Sequence, residues 1–416
     1  MDFFTFQDKE LFCEDVPVKE IAAKVGTPFY LYSAKTLERH IEAFQEALSD
    51  LNHLVCFAVK ANSNLQVLNL LGKKGAGADI VSGGELFRAV KAGIDPKKII
   101  YSGVGKTKDE IHQALEAGIL MFNIESMQEM ETICNIASSL GKKARISFRV
   151  NPDVDPKTHP YISTGLKKNK FGLPIDEALA AYKEANARKE LEVVGISSHI
   201  GSQITEVTPF VDAVKRVLDI ALALRQDGIN IQFMDIGGGL GIKYKDESPP
   251  EPKEYGKAIS SVLADTNFTV IVEPGRAIAG NAGILVTKLL YTKQTPAKHF
   301  YIVDAAMNDL FRPSLYSAYH EIVPVEKRDA PTKTVDVVGP ICETGDFLAR
   351  DRELPDMEPS ELLAVKSAGA YGFTMASNYN SRPRPPEVMV CGNDFWVVRK
   401  RETYDDLIRG EVIREF

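Results

Sequence analysis

The sequence predicts an α/β protein in which a (β/α)8 TIM-type barrel is followed by an all-β domain that the N-terminal segment completes. Between residues 53 and 275, eight short apolar or β-branched segments alternate with stretches whose apolar residues recur at helical spacing. Several of the strand segments are apolar almost throughout, which is typical of parallel strands covered on both faces. After Gly280, prolines, turns and strand-like segments dominate, and long helical periods are scarce.

The barrel prediction rests on a count of strand and helix units. The predicted strands cover residues 54–61, 78–82, 99–103, 120–124, 144–150, 193–200, 233–237 and 268–275. The predicted helices cover residues 65–74, 84–93, 107–117, 126–140, 176–187, 208–228 and 253–265. Eight such strands within roughly 220 residues favour a closed barrel. The alternative, a doubly wound open sheet, usually has fewer strands.

The change from alternating strand and helix patterns to mainly strand-like segments predicts two domains. We expect the barrel to occupy residues 31–278 and the β-rich domain to combine residues 1–30 with residues 279–416. The first 30 residues look extended, as in the segments FFTF and TPFYLYS. They precede the first barrel strand, and we therefore expect them to pair into the β-rich domain.

Composition narrows the class of protein. The chain has 416 residues, of which 44% are hydrophobic and 26% charged, a mixture typical of globular proteins. With 50 basic and 57 acidic residues the formal net charge is -7, which argues against nucleic acid as a partner. The apolar segments have the length of strands, so we expect no membrane span and no signal peptide.

The five cysteines are odd in number, far apart and without a CxxC pair. This pattern argues against a disulfide framework and against a structural zinc site. We therefore expect a protein of the reducing cytoplasm that holds no metal.

Polar residues gather where the predicted barrel strands end. Active sites of such barrels lie at the carboxyl ends of the strands. The residues in question are Lys60, Asp79, Ser82, Arg149, His199, Gly237 to Gly239, and Glu273 to Arg276. Their alignment with one end of the barrel predicts the site of the chemistry.

Lys60 ends the apolar strand in the segment FAVKAN. A desolvated amine has a lowered pKa, which suits it to Schiff-base chemistry. The alternative is a surface lysine at a strand end, and the segment alone does not decide between the two.

Three further segments at the same end indicate an anion site. In DIGGGLG (235–241), glycines let backbone N–H groups approach a phosphate, although a tight turn is the alternative. In EPGR (273–276), a carboxylate can hold the proton of a pyridine nitrogen, and the alternative is a turn with a surface ion pair. HIGSQI (199–204) offers a histidine for stacking on a planar ring, with Ser202 for a phosphate oxygen; a lone histidine is more often structural.

Two other loops are less informative. SGVGKT (102–107) resembles a P-loop, but the full pattern needs a glycine where Ile100 stands, so it argues against ATP or GTP binding. The polar loop 151–174 follows the fifth strand and is either a lid over the barrel or an ordinary surface excursion.

The β-rich domain has polar, turn-rich segments at residues 311–320, 339–349 and 368–380, which are either functional or ordinary loops. Within the second of them, Cys342 stands beside Glu343. A thiol with a tuned pKa can donate a proton at neutral pH.

Seven segments together resemble one family of enzymes. They are AVKAN, HIGSQI, DIGGGLG, EPGR, RPSLY, CETGD and GAYG, and they run from residue 58 to residue 372. The chain is similar to the fold-type III, alanine-racemase-like enzymes that use pyridoxal 5'-phosphate (PLP), and specifically to the diaminopimelate decarboxylase family. One departure is Thr344, where the family often has serine, and this should not affect the chemistry.

The resemblance implies roles for individual residues. Lys60 would form the Schiff base with the cofactor, Glu273 would pair with the pyridinium nitrogen, and His199 would stack on the ring. The implied cofactor-binding set is Lys60, Asp79, His199, Ser202, Gly237, Gly238, Gly239, Glu273, Gly275, Arg276 and Tyr371. The implied substrate-binding set is Arg276, Arg312, Tyr316, Glu343 and Tyr371. The implied catalytic residues are Lys60, His199 and Cys342, with Cys342 as the proton donor.

The resemblance also implies decarboxylation of meso-2,6-diaminopimelate to L-lysine, the last step of lysine biosynthesis, in a homodimer whose active sites are shared. The CETGD segment of one copy should enter its neighbour's barrel.

Three alternatives stay open. A decarboxylase of ornithine, arginine or a carboxylated polyamine would share the barrel motifs, but its substrate lacks the distal carboxylate that Arg276 and Arg312 suit. An amino-acid racemase needs a second acid or base, for which no candidate stands out. A non-catalytic cofactor-binding regulator would not need Lys60 and Cys342.

Overall fold

The computed structural model describes residues 2–155, 164 and 169–416. The described chain divides into two compact units. The first combines Met1–Leu37, Tyr244–Asp246 and Ala279–Phe416, and the second combines Glu38–Lys243 and Glu247–Ile278. We call them the β-rich unit and the barrel unit.

The strands are numbered in chain order. They are β1 (Phe4–Gln7), β2 (Glu10–Cys13), β3 (Val16–Pro17), β4 (Phe29–Ser33), β5 (His53–Ala58), β6 (Gly77–Ile80), β7 (Ile99–Tyr101), β8 (Met121–Ile124), β9 (Ala144–Asn151), β10 (Leu173–Pro174), β11 (Leu191–Ser197), β12 (Phe233–Asp235), β13 (Thr269–Val272), β14 (Gly283–Gln294), β15 (His299–Val303), β16 (Ile322–Pro324), β17 (Thr332–Val338), β18 (Phe347–Pro355), β19 (Leu362–Val365), β20 (Glu387–Cys391) and β21 (Asp394–Arg399).

The α-helices follow the same numbering. They are α1 (Val18–Val25), α2 (Ala34–Ala47), α3 (Leu65–Lys73), α4 (Gly83–Lys91), α5 (Lys108–Ala117), α6 (Met127–Leu140), α7 (Ile175–Asn186), α8 (Thr208–Gln226), α9 (Pro252–Leu263), α10 (Arg276–Ala279), α11 (Arg312–Tyr316) and α12 (Tyr404–Leu407).

The barrel unit contains a closed parallel barrel of eight strands. Their order is β5, β6, β7, β8, β9, β11, β12 and β13, and β13 pairs with β5 to close the ring. The short strand β10 adds to β9 outside the ring. The predicted barrel is therefore confirmed, and each predicted strand overlaps its observed counterpart.

The inside of the barrel changes from apolar to polar toward the carboxyl ends of its strands. An apolar cluster includes Cys56, Ile100, Met121, Val194 and Ile271. Residues two apart on a strand share a face. The pairs that mark the change are Ile100 with Ser102, Met121 with Asn123, and Ile271 with Glu273. Polar groups therefore collect at one end of the barrel, where water or a ligand can meet them.

Side-chain caps begin several of the barrel helices. Ser82, Thr107 and Ser126 each accept a hydrogen bond from the backbone N–H three residues later, at the starts of α4, α5 and α6. Such caps pair backbone donors that would otherwise have no partner in the helix. Each cap fixes where the chain leaves the loop that follows a strand end, and so shapes the mouth of the barrel.

The β-rich unit contains a sheet in the order β18, β17, β15, β14, β4, β20 and β21, with β19 joining β14 to β16. The N-terminal strand β4 lies in its middle, antiparallel to β14 and parallel to β20. This confirms the prediction that the N-terminal segment completes the β domain.

The residues before β4 are extended only in part, and their strands do not join the main sheet of the unit. The strands β1 to β3 form an antiparallel sheet of their own, and residues 18–25 form helix α1. Val18, Ile21 and Ala22 are buried at helical spacing and pack against the apolar cluster of the unit. This short helical period in VKEIAAKV lies between two extended segments, whose strand pattern dominates the N-terminal sequence.

Three further observations concern the described residues. None of their helices is both long and apolar enough to cross a membrane. None of their histidine, cysteine and acidic side chains form a group of three that is suited to a metal ion. All five cysteines are free thiols, and Cys342 and Cys391 are exposed.

Tyr182 bridges two barrel strands at an irregularity in their pairing. The register between β9 and β11 shifts between Val193 and Gly195. The buried hydroxyl of Tyr182 on α7 accepts from the N–H of Phe148 at 3.0 Å and donates to the carbonyl of Gly195 at 2.8 Å. A side chain therefore supplies hydrogen bonds at a point where the ladder is interrupted.

We expect Tyr182→Phe to lower the free energy of unfolding by about 1–3 kcal/mol, because it leaves buried backbone groups without this partner. The midpoint of thermal unfolding should fall accordingly. Tyr291→Phe is the matched control, since its ring is 67% exposed, and it should leave the midpoint unchanged. Equal midpoints for both variants and the wild type would contradict the bridging role.

Candidate active site

A cavity of about 400 Å³ opens at the carboxyl ends of the barrel strands. Its lining includes Lys60, Ser102, Asn123, Arg149, Ser197, His199 and Glu273. Four of the loops named in the sequence analysis contribute to it, so residues far apart in the chain meet in one place. The cavity has the size expected of a small-molecule site.

Lys60 lies just after β5, in a short 3-10 turn over Val59–Ala61. Its amine makes an ion pair with the Oδ2 atom of Asp79, which lies on the neighbouring strand β6. The Asp79 carboxyl is fully buried, and its Oδ1 atom has no hydrogen-bond partner among the residues that the structure describes. A buried carboxylate oxygen without a partner is rare, and it marks a polar site that a further group can complete.

Glu273 follows β13 and adds a second buried carboxyl group. Burial raises its pKa well above the usual range, and the nearby Asp235 and Asp79 raise it further. Burial also raises the pKa of Asp235 to about 6. Three buried acids, Asp79, Asp235 and Glu273, therefore stand near the ammonium group of Lys60. This excess of acid favours a further cation, or protons held on the carboxyls.

His199 follows β11 and is held in its neutral form. Burial lowers its pKa well below the usual range, and the cations of Arg149 and Lys60 add to this effect. Its Nδ1 atom accepts a hydrogen bond from the N–H of Gly238 at 3.1 Å. A ring nitrogen that accepts from a backbone N–H carries no proton, which places the imidazole proton on Nε2.

The glycines of DIGGGLG allow three loops to meet. A Cβ at Gly238 would stand 2.0 Å from the carbonyl oxygen of Glu273, and one at Gly239 would stand 2.4 Å from that of Gly201. Gly237 and Gly239 also have φ angles of +70° and +114°, which favour glycine. The run of glycines therefore reflects close backbone packing at the mouth.

Ser202 and Arg276 join the loops HIGSQI and EPGR. The guanidinium of Arg276 donates to the Ser202 hydroxyl at 3.1 Å from Nη2 and at 3.3 Å from Nε. Gly275 lets the chain pass close to the 3-10 turn after β5, because a Cβ there would stand 2.9 Å from that of Ala61. A cation, a hydroxyl and several backbone amides thus lie in adjacent loops, which suits an anion such as phosphate.

One buried ion pair was missed by sequence reasoning. Arg149 ends β9, and its Nη1 atom lies 3.0 Å from Oε1 of Glu125, which directly follows β8. Glu125 also accepts from the N–H groups of Gly103 at 3.2 Å and Gly172 at 2.7 Å. Arg149 donates further to the carbonyl of His199 at 3.2 Å. The position of Glu125 at a strand end was the available signal for it.

The loop SGVGKT lines part of the cavity, and its lysine is held by three polar partners. The Lys106 amine is almost fully buried. It donates to the carbonyls of Gly103 and Asn123 at 2.8 and 2.9 Å and pairs with Glu129 at 2.7 Å. An amine with these three partners is not placed to bind a nucleotide phosphate.

Loop 151–174, for which a lid and a surface excursion are the two alternatives, lies half outside the described residues, which omit 156–163 and 165–168. Within it, the Thr164 hydroxyl donates to the carbonyl of His199 at 2.9 Å.

Five of the predicted site residues belong to the β-rich unit. They are Arg312, Tyr316, Cys342, Glu343 and Tyr371. Arg312 is buried at the start of α11, and its guanidinium stacks on the ring of Tyr244 at 4.6 Å. Tyr371 has a φ of +56°, an uncommon conformation for a residue other than glycine.

The CETGD segment forms a fixed turn with an exposed thiol. The carboxylate of Asp346 accepts from the N–H of Ile341 at 2.7 Å and from that of Met307 at 2.8 Å. The N–H of Cys342 donates to the side chain of Asn380 at 2.8 Å, while its side chain is exposed. The backbone around the predicted proton donor is therefore held from both sides.

Comparison with known proteins supports one family. Residues 34–280 match the family model described as "Pyridoxal-dependent decarboxylase, pyridoxal binding domain". A diaminopimelate decarboxylase of Pseudomonas aeruginosa is 54% identical, with 99% of both chains covered. One of Aquifex aeolicus is 52% identical, covering 98% of this chain and 96% of the relative.

Solved structures agree with this finding. AQ1208 from Aquifex aeolicus superposes with a TM-score of 0.92 at 49% identity, covering 98% of this chain and 97% of the other. Diaminopimelate decarboxylase from Helicobacter pylori, complexed with L-lysine, gives a TM-score of 0.91 at 46% identity, covering 94% and 98%. The family model spans more than half of the chain and the relatives match it almost from end to end. The chain therefore belongs to the diaminopimelate decarboxylase family of carboxy-lyases, whose cofactor is PLP.

Proposed function

We propose that the protein converts meso-2,6-diaminopimelate to L-lysine and CO2, as the last step of lysine biosynthesis, with Lys60 binding the cofactor and Cys342 donating a proton. One observation supports this above the others. Lys60, His199 and Glu273 line the same cavity at the mouth of the barrel. An amine, a neutral flat ring and a buried acid are the groups that a pyridine aldehyde needs around it.

The barrel unit suits PLP in its charge. Three buried acids, Asp79, Asp235 and Glu273, lie near the ammonium group of Lys60, and a protonated ring nitrogen would add a further cation beside them. When bound, the ring accepts the electron pair that remains as CO2 leaves. Burial raises the pKa of Glu273, and a protonated ring nitrogen beside this carboxyl group would pair with it.

Three side chains orient the cofactor in this proposal. The Asp79 carboxylate holds the Lys60 amine in the cavity, at the position where it binds the aldehyde. The neutral ring of His199, kept in place by the N–H of Gly238, would stack on the cofactor. Phosphate would be bound by Ser202, Gly237, Gly238, Gly239, Gly275, Arg276 and Tyr371. The cofactor domain would then be the barrel, residues 31–278.

The β-rich domain, residues 1–30 and 279–416, would bind the far end of the substrate. Diaminopimelate carries a second amino-acid end, whose carboxylate and ammonium groups suit arginine and glutamate. The proposed contacts are Arg276, Arg312, Tyr316, Glu343 and Tyr371. Contacts far from the reacting bond orient it and lower the barrier by holding it in place.

A homodimer with shared active sites completes the proposal. The thiol of Cys342 is exposed, and its turn is already fixed by Asp346 and Asn380. A proton donor acts best where water is excluded. Entry of this CETGD segment into a second copy's barrel would bury the thiol against the substrate.

We expect Lys60→Ala to abolish both the absorption band of covalently bound PLP and the release of CO2 from meso-diaminopimelate, because no amine then binds the aldehyde. Absorption spectroscopy, and product identification as L-lysine in the wild type, provide the measurement. Lys97→Ala removes an exposed lysine and should change neither. Covalent cofactor that persists in the Lys60 variant would refute the assignment.

We expect Arg312→Ala to raise KM for meso-diaminopimelate at least about tenfold, because a charged hydrogen bond to the distal carboxylate is lost. Steady-state kinetics measure this effect. Arg409→Ala, which removes a side chain that is 79% exposed, is the control. An unchanged KM would remove the argument for this substrate over diamine precursors without a distal carboxylate.

We expect Cys342→Ala to lower kcat by about a hundredfold or more, the usual contribution of a general acid. KM should change little, since the thiol acts on the substrate carbon rather than on its distal end. Cys391→Ala is a matched control, because Cys391 is the other exposed thiol. Equal kcat values for the two variants would show that another group supplies the proton.

A further inference from the structure

His320 is a fully buried histidine of the β-rich unit, four residues beyond α11 and two before β16. Its Nε2 atom lies 2.8 Å from Nη1 of Arg312. Its Nδ1 atom lies 2.8 Å from the carbonyl oxygen of Lys366. The ring also contacts Tyr244 edge-on, with the ring centres 5.3 Å apart.

The two partners determine where the imidazole proton lies. A guanidinium group only donates, so Nε2 must accept from Arg312 with its lone pair. A backbone carbonyl only accepts, so Nδ1 must donate to Lys366. His320 is therefore neutral, with its proton on Nδ1, and this form alone satisfies both contacts.

The carbonyl that His320 binds is itself well anchored. The N–H of Lys366 donates to the carbonyl of Glu321 at 2.8 Å, and its ammonium group lies 3.1 Å from the Glu321 carboxylate. Ile322, which follows Glu321, pairs with Val365, which precedes Lys366, in the ladder of β16 and β19. His320 therefore links the guanidinium group of Arg312 to the backbone at the end of the β16–β19 ladder.

Two contacts of different kinds then fix Arg312. The ring of Tyr244 lies against the guanidinium at 4.6 Å, which sets its plane. The bond to His320 sets its rotation within that plane. A planar donor fork binds a carboxylate well only in a defined orientation, so this control bears on recognition.

We propose that His320 is a positioning residue that orients Arg312 toward the distal carboxylate of the substrate and so sets affinity for substrates that carry one. This rests on the proposed function, in which Arg312 binds that carboxylate. His320 itself touches no substrate. It acts as outer-shell hydrogen-bond partners do elsewhere, by orienting the group that binds.

Two variants separate the contacts of His320. In His320→Asn the side-chain amide nitrogen lies near the position of the histidine Nδ1 atom, so the bond to the Lys366 carbonyl is kept. The shorter side chain does not extend to Arg312, so that hydrogen bond is lost. In His320→Gln the longer amide places its oxygen near the site of Nε2 and keeps the bond to Arg312. Each variant loses one hydrogen bond, so their midpoints of thermal unfolding should be similar.

We expect His320→Asn to raise KM for meso-diaminopimelate about tenfold with kcat within about twofold of the wild type, while His320→Gln stays within about threefold in KM. Steady-state kinetics measure both. Binding of L-lysine, which keeps the distal amino-acid end, should weaken in the Asn variant. Binding of cadaverine, which has no carboxylate, should not change.

A purely structural role predicts equal losses in the two variants, and that result would overturn the proposal, as would an unchanged KM in His320→Asn. The Arg312→Ala variant distinguishes failure of the positioning role of His320 from failure of the binding role of Arg312. If it raises KM while His320→Asn does not, the positioning role fails and the proposed function stands. If it leaves KM unchanged, the assignment of Arg312 fails first.

Discussion

The burial of Asp79, Asp235 and Glu273 near one lysine is the constraint on which the barrel site depends. Ionised carboxyl groups are strongly destabilised away from water unless they are paired or protonated. Asp79 is paired with Lys60, and the raised pKa values of Asp235 and Glu273 show that these two hold protons more readily than usual. These three carboxyl groups therefore set the charge balance around Lys60, and the roles proposed for Lys60 and Glu273 are argued from this balance.

Neutral histidines with assigned protons recur in the two units. His199 accepts from the N–H of Gly238, and His320 accepts from Arg312 while donating to Lys366. A buried neutral imidazole can fix direction without adding charge, since each nitrogen has one role. In the barrel this keeps a flat ring beside the acids. In the β-rich unit it fixes the direction of a guanidinium.

The sequence predicted what depends on local period and on strand ends. The eight barrel strands stood out because their apolar runs are bounded by turns, and Lys60 and Glu273 because each ends such a run. Helix α1 was missed because a single short period stands between extended segments. Glu125 was missed because its partner Arg149 lies 24 residues away, on the next strand. The contact depends on the closed ring, and the chain itself shows only that Glu125 directly follows a strand.

His320 shows the same limit from another side. A lone histidine after RPSLY has no pattern around it, and its role depends on the pairing of β16 with β19, which brings Lys366 beside it. Arg312 itself was predicted only through the resemblance of its segment to a family. The residues that bind are therefore easier to find in a sequence than those that orient them, because binding groups stand in short motifs. A group that orients another side chain, such as His320, depends on which residues the fold brings together, and its residue type alone does not identify it.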